Sequence, residues 1–301
     1  MSLRRRPKEK DPSPAELEDF LVRQRRENDR PARAPRIPAR RITGVRVDID
    51  GVGPASDRPC PVVTLTPRRV ERELVVLHGG AYAFGPSPTT WRRLHRYAHL
   101  ARARTTVPLY ARVPNADAAA SFPGVVDAYR RVAESAEGRL VLMGESAGGG
   151  YALGLLDVLR REHPEVRRPA RVVLVSPWLD LELSSPGVDE LDAVDPALSI
   201  VFLRAMGRLW AGDEPADAPH LSPVRMDPTG LPPLTLLCGT REILLPENEA
   251  FRDAARAAGV DVEWVLGQDQ LHVWTDQRTR AARAANATVL RAITGTGPTS
   301  G

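Results

Sequence analysis

The chain has 301 residues, a formal net charge of +4 at pH 7, an apolar fraction of 42% and two cysteines. That length can bury one large α/β core, and Cys60 and Cys238 alone exclude a disulfide framework. The charge is uneven: residues 1–41 hold 13 Lys/Arg against 7 Asp/Glu and the remainder is close to neutral, so the basicity belongs to an N-terminal arm and not to a nucleic-acid surface.

Residues 1–12 are charged and are expected to be disordered. Residues 14–28 can form an amphipathic helix, with Leu17, Phe20 and Leu21 on one short apolar stripe and Gln24 as its polar end. Residues 30–42, rich in Pro and Arg, read as an extended linker. Apolar runs then predict strands over 45–50, 62–66, 73–77, 105–110, 140–143, 172–176, 234–238 and 262–266. Helical patterns alternate with them over 89–103, 120–137, 147–161, 247–258 and 276–294. This alternation predicts a mostly parallel eight-stranded sheet with helices on both faces. It breaks between Leu181 and Leu231, where Leu198, Phe202, Met206 and Trp210 recur every four residues as an apolar helical stripe. The chain therefore divides into an N-terminal arm (1–41), a core (42–180 and 230–295), a helical insertion (181–229) and a disordered tail (296–301). The stripe either buries itself on the core or roofs an active site.

Gly144-Glu145-Ser146-Ala147-Gly148 follows the apolar residues 139–143 and fits G-x-S-x-G. In that strand-to-helix turn a serine hydroxyl is lifted clear of a sheet edge as a nucleophile. The glycines are required because a side chain beside so sharp a turn would collide with the neighbouring strand and helix. Upstream, the run Leu74-Val75-Val76-Leu77 ends in His78-Gly79-Gly80-Ala81-Tyr82. There the amides of Gly79 and Gly80, with that of Ala147, can stabilise a developing oxyanion. His78 reads as an organiser of this loop and not as a base.

A nucleophilic serine needs a base and an orienting acid, which follow it in the order acid, then histidine. Three histidines lie beyond Ser146. His163 sits in a solvated helix end and His220 in a Pro-rich loop, leaving His272 as the base. For the acid, Glu242 follows the strand at 234–238 on the loop side where open α/β sheets carry ligands. Asp180 and Asp269 are its rivals.

Together these stretches resemble the hormone-sensitive-lipase-like branch of the α/β-hydrolase esterases over residues 42–295. The resemblance rests on His78-Gly79-Gly80-Ala81-Tyr82, Gly144-Glu145-Ser146-Ala147-Gly148-Gly149, Ser176-Pro177-Trp178-Leu179-Asp180-Leu181, and the Glu242 and His272 loops, with a weaker match at 110–123. Two departures stand out: Ala81 replaces the third glycine of the usual H-G-G-G, and Glu242 stands where the family has Asp. The resemblance implies an α/β-hydrolase fold whose N-terminal helical segment joins the 181–229 insertion as a cap.

The function expected is that of a serine carboxylic-ester hydrolase acting through an acyl-enzyme on small to medium soluble esters. Ser146, Glu242 and His272 form the triad; Gly79, Gly80 and Ala147 form the oxyanion hole; Tyr82, Phe84, Phe202, Met206 and Trp210 line the substrate pocket. A lactonase or acyltransferase could use the same triad, and a non-catalytic binding protein could keep the same fold. His95 and His99 are spaced like two metal ligands but lack a third, so no metal and no cofactor is expected. No run of 18 apolar residues and no apolar signal core is present, which points to a cytoplasmic protein away from membranes. Self-association stays open.

Overall fold

The computed structural model describes residues 11–32, 35, 44–51 and 60–296. The readings of residues 1–10 as disordered, of most of the linker up to residue 43 and of 297–301 as a tail lie outside the described residues.

Eight strands form one sheet: β1 (Val45–Asp50), β2 (Val62–Pro67), β3 (Arg72–Leu77), β4 (Ala103–Pro108), β5 (Arg139–Glu145), β6 (Arg171–Val175), β7 (Leu234–Gly239) and β8 (Val262–Gly267). Their order is β1-β2-β4-β3-β5-β6-β7-β8. β1 pairs with β2, and β2 with β4, antiparallel; every other pair is parallel. The central strands read as near-continuous Val/Leu runs because both of their faces are covered.

Strand periodicity splits the core in two. Val75, Leu77, Leu140, Leu142, Val172 and Leu174 face one layer, built on α3 (Ala118–Ser135), α4 (Ala147–Glu162) and α7 (Leu245–Ala257). Leu74, Val76, Val141, Met143, Val173 and Val175 face the other, built on α2 (Pro88–Ala101) and α8 (Arg280–Thr294). Between β6 and β7 lie α5 (Val188–Asp192), α6 (Ile200–Ala211) and a short 3₁₀ turn at Pro223–Arg225. The helix α1 (Pro14–Asn28) starts with a capping box in which Ser13 and Glu16 exchange hydrogen bonds.

Several boundaries shift by a few residues from those expected. α2 stops at Ala101 because Arg102 turns left-handed (φ 49°), so β4 starts at Ala103 and not at residue 105. The last helix starts at Arg280 and not at 276, because Thr279 caps it through the amide of Ala282; Trp274–Asp276 is a separate 3₁₀ turn. No helix among the described residues is long and apolar enough to cross a membrane.

Candidate active site

Parallel register delivers the functional loops to one edge. Leu77 pairs with Gly144, Glu145 with Val175, and Gly239 with Gly267, so the segments after β3, β5, β6, β7 and β8 all leave the sheet at its carboxyl end.

At the end of β5, Ser146 has φ 52° and ψ −127°, a strained conformation for a residue with a side chain. Its backbone is pinned on both sides. Its N–H donates to the carbonyl of Val175 at 3.0 Å, and its carbonyl accepts from Gly149 at 2.8 Å and Trp178 at 2.9 Å. The glycines are sterically obligatory: a Cβ on Gly148 would lie 2.1 Å from the Leu77 carbonyl oxygen, and one on Gly144 would lie 2.2 Å from that of Gly148.

The loop after β3 passes directly beside the serine. A Cβ on Gly79 would lie 3.1 Å from the Cβ of Ser146. Gly80 has φ +124°, and its carbonyl accepts from the amides of Ala83 and Phe84 at 2.9 and 2.8 Å. Ala81 and Tyr82 follow with φ 51° and 57°, so alanine occupies a left-handed position that glycine would adopt more cheaply. The preceding carbonyls are also engaged. Tyr110 donates its hydroxyl to the carbonyl of His78 at 2.7 Å, and the neutral His78 ring donates Nδ1–H to that of Gly79 at 2.8 Å. His78 stacks on Tyr110 (ring centroids 4.2 Å apart), and burial pushes its pKa down to about 3. Among the described residues the amides of Gly79, Gly80 and Ala147 have no protein acceptor, which leaves three donors beside the serine hydroxyl.

His272 follows β8. Its Nε2 lies 2.9 Å from Ser146 Oγ and its Nδ1 lies 2.7 Å from Glu242 Oε2. Glu242 is fully buried, and Oε1 is held by the hydroxyl of Ser176 at 2.9 Å, the thiol of Cys238 at 3.3 Å and the amide of Gly239. Ser176 also accepts from the amide of Val273 at 3.1 Å, so one hydroxyl joins the acid to the histidine loop. The rival acids stand elsewhere. Asp180 is buried but caps its own loop, accepting from the amides of Glu182 and Ser184 and from the Ser184 hydroxyl. Asp269 is exposed. Ser176 was not among the site residues expected from sequence, although it heads the quoted Ser176-Pro177-Trp178 run.

A cavity of about 680 Å³ opens above the serine. Its lining includes apolar Pro12, Phe84, Leu198, Phe202 and Leu203, polar Ser87, Thr90, Glu145 and Asp276, and Gly79, Gly80, Ser146 and His272. Of the five expected pocket residues, Phe84 and Phe202 line this cavity. Tyr82, Met206 and Trp210 do not: each is buried to 1% exposure or less, and Tyr82 stacks on Trp210 at 4.2 Å. The expectation for these three is corrected because the stripe on α6 dips from the cavity at Phe202 into the aromatic core one turn later. Asp195 anchors this wall. Its carboxylate accepts from the amides of Ala197 and Leu198 and, on the other side, from that of Ile243, next to Glu242. Burial raises the pKa of Asp195 against the pull of those amides.

A family described as the alpha/beta hydrolase fold matches residues 74–276. An acetyl-hydrolase of Streptomyces hygroscopicus is 35% identical over 249 residues, 79% of this chain and 82% of that protein. The crystal structure of an esterase from the bacterial hormone-sensitive lipase family is 26% identical, covers 92% of this chain and 97% of its own, and superposes with a TM-score of 0.76. A Staphylococcus aureus protein of known structure, 23% identical over 94% of this chain and 93% of its own, shares the fold with a TM-score of 0.84. With its eight-stranded sheet, its serine elbow and these relatives, the chain belongs to the α/β-hydrolase family, among the hormone-sensitive-lipase-like esterases.

Proposed function

We propose that the protein hydrolyses small to medium carboxylic esters through an acyl-enzyme on Ser146. The observation that carries this reading is the continuous hydrogen-bond chain from Ser146 Oγ through His272 to Glu242, at 2.9 and 2.7 Å. Ser146 Oγ attacks the carbonyl carbon as its proton passes to His272 Nε2. Glu242 accepts the Nδ1–H, fixing the tautomer and stabilising the imidazolium. The carbonyl oxygen, now an oxyanion, takes the amides of Gly79, Gly80 and Ala147, which have no other acceptor among the described residues and cost no reorganisation. Collapse expels the alcohol, protonated by His272. Water, deprotonated by the same imidazole, then releases the acid and restores the serine.

Residues 181–229, with α1, serve as the cap in this reading. Phe20 of α1 meets Phe84 and Phe202 with ring centroids 5.4 and 5.2 Å away, joining the N-terminal helix to the oxyanion loop and to α6. The cavity walled by Phe84, Leu198 and Phe202 suits short to medium acyl groups. An acetyl group is the acyl part named for the Streptomyces relative, and it fits well within this volume.

The test is a panel of p-nitrophenyl esters from acetate upward, with lactones and an emulsified triglyceride alongside. Highest kcat/KM on the short soluble esters supports the reading. Preference for lactones moves the assignment to a lactonase, and activity that rises only above the solubility limit of the triglyceride moves it to a lipase.

A further inference from the structure

One charged cluster beside the triad is used by no step above. Arg93 of α2 is 7% exposed, and two donors of its guanidinium reach two different loops. Nη2 pairs with Glu145, the residue before the nucleophile, and Nε pairs with Asp276 at 2.6 Å, four residues beyond His272. The side chains of Arg93 and Glu145 are each 5% exposed. Nη1 is buried without a hydrogen-bond partner among the described residues, and the guanidinium carbon lies over the Tyr97 ring, 5.7 Å from its centroid.

A cluster of this kind is a poor way to stabilise a fold. Removing the Glu145 carboxylate and a guanidinium from water offsets most of their attraction, and apolar side chains of similar volume usually do as well. An orphaned N–H adds a further cost. Its geometry is what distinguishes it. The guanidinium is planar and rigid, so the donors Nε and Nη2 hold the two carboxylates at a fixed separation. Those carboxylates belong to the segments that carry Ser146 and His272, residues 126 apart in the chain. One turn further along α2, Tyr97 donates its hydroxyl to Asn286 Oδ1, and Asn286 Nδ2 donates to the carbonyl of Thr275 at 2.8 Å. A second strut thus ties α2 to the same turn after His272.

We propose that Arg93 is a positioning residue, a clamp between Glu145 and Asp276 that sets the approach of His272 Nε2 to Ser146 Oγ. This rests on the proposed acyl-enzyme chemistry. Proton transfer falls off steeply when donor and acceptor leave hydrogen-bond reach, so losing the clamp lowers turnover more than it weakens substrate binding.

The test uses the purified full chain and p-nitrophenyl acetate, with kcat, KM, the rate of fluorophosphonate labelling and thermal unfolding measured for each variant. Arg93→Met should lower kcat roughly 10- to 100-fold and slow labelling in parallel, with KM within about twofold of wild type. Arg93→Lys supplies one point charge where a fork is needed and should fall between the two. Asp276→Ala should lower kcat, Asp276→Asn should recover most of that loss because its Oδ1 still accepts from Nε, and in the Arg93→Met background Asp276→Ala should have little further effect. Asp276 is partly exposed, so its variants keep the proposal testable if Arg93→Met fails to fold. Variants that lose thermal stability while the folded enzyme keeps wild-type kcat and labelling rate would overturn the clamp. Ser146→Ala separates this from the underlying reading: if it retains turnover, the acyl-enzyme chemistry fails; if it is inactive while the Arg93 and Asp276 variants match wild type, only the clamp fails.

Discussion

Glu242 Oε2 lies 2.7 Å from His272 Nδ1 while the other oxygen of the same carboxylate is held by Ser176, Cys238 and Gly239. The glutamate therefore reaches the imidazole as a fixed group, its extra methylene absorbed at a fully buried position. Glu242→Gln keeps the shape but can present an amide N–H to Nδ1, which favours the wrong tautomer. It should lower kcat by roughly 10³–10⁴-fold with the fold intact. Asp180→Asn should be far milder in activity, because among the described residues the Asp180 carboxylate accepts from Glu182 and Ser184 of its own loop. Steady-state kinetics of the two variants, with circular dichroism as the control for folding, decide the ranking.

Ser146→Ala should abolish ester turnover and stoichiometric labelling by a fluorophosphonate probe. No other hydroxyl stands 2.9 Å from His272 Nε2 among the described residues. Near-wild-type turnover, or labelling at one probe per chain, would show that another nucleophile does the chemistry.

Phe202 and Trp210 share the spacing of one apolar stripe, but only Phe202 lines the cavity. Phe202→Ala should shift the chain-length profile by about 1–3 kcal/mol of discrimination between adjacent substrates that touch it. Trp210→Ala removes a buried ring stacked on Tyr82. It should cost about 3–5 kcal/mol of stability and leave the profile of the surviving enzyme unchanged. Chain-length profiles and urea unfolding of both variants check the contrast.

His78 adds an acid-labile element to the oxyanion loop. Its pKa falls from 6.5 to about 3 in the folded protein because burial disfavours the imidazolium. Below pH 6.5 the unfolded chain binds a proton that the native state refuses, so stability is lost as pH falls from 6.5 toward 3. This one group contributes a slope of up to about 1.4 kcal/mol per pH unit. Urea unfolding between pH 7 and pH 4.5 should show a steeper decline for wild type than for His78→Gln. Parallel declines would mean that His78 titrates freely in the native state.

The parts of this enzyme that could be read along the chain are those whose physical cause is local. Alternating apolar runs specify strands, and their burial on both faces requires covering helices, so the order of elements implied the sheet. Gly144 and Gly148 could be picked out because each sits where a side chain would strike a neighbouring backbone. Other features had no local cause. Glu242 and Asp180 both follow strand ends, and it is the packing of Ser176 and Gly239 around one carboxylate, and of Ser184 around the other, that separates them. Helical spacing put Phe202, Met206 and Trp210 on one stripe, but which turn overhangs the cavity depends on how α6 packs on its neighbours. Arg93 lies 52 residues from Glu145 and 183 from Asp276, and no spacing in the chain announces their meeting. Only the parallel register of the sheet, which brings distant loops to one edge and then presses α2 against them, places that guanidinium between the segments carrying Ser146 and His272.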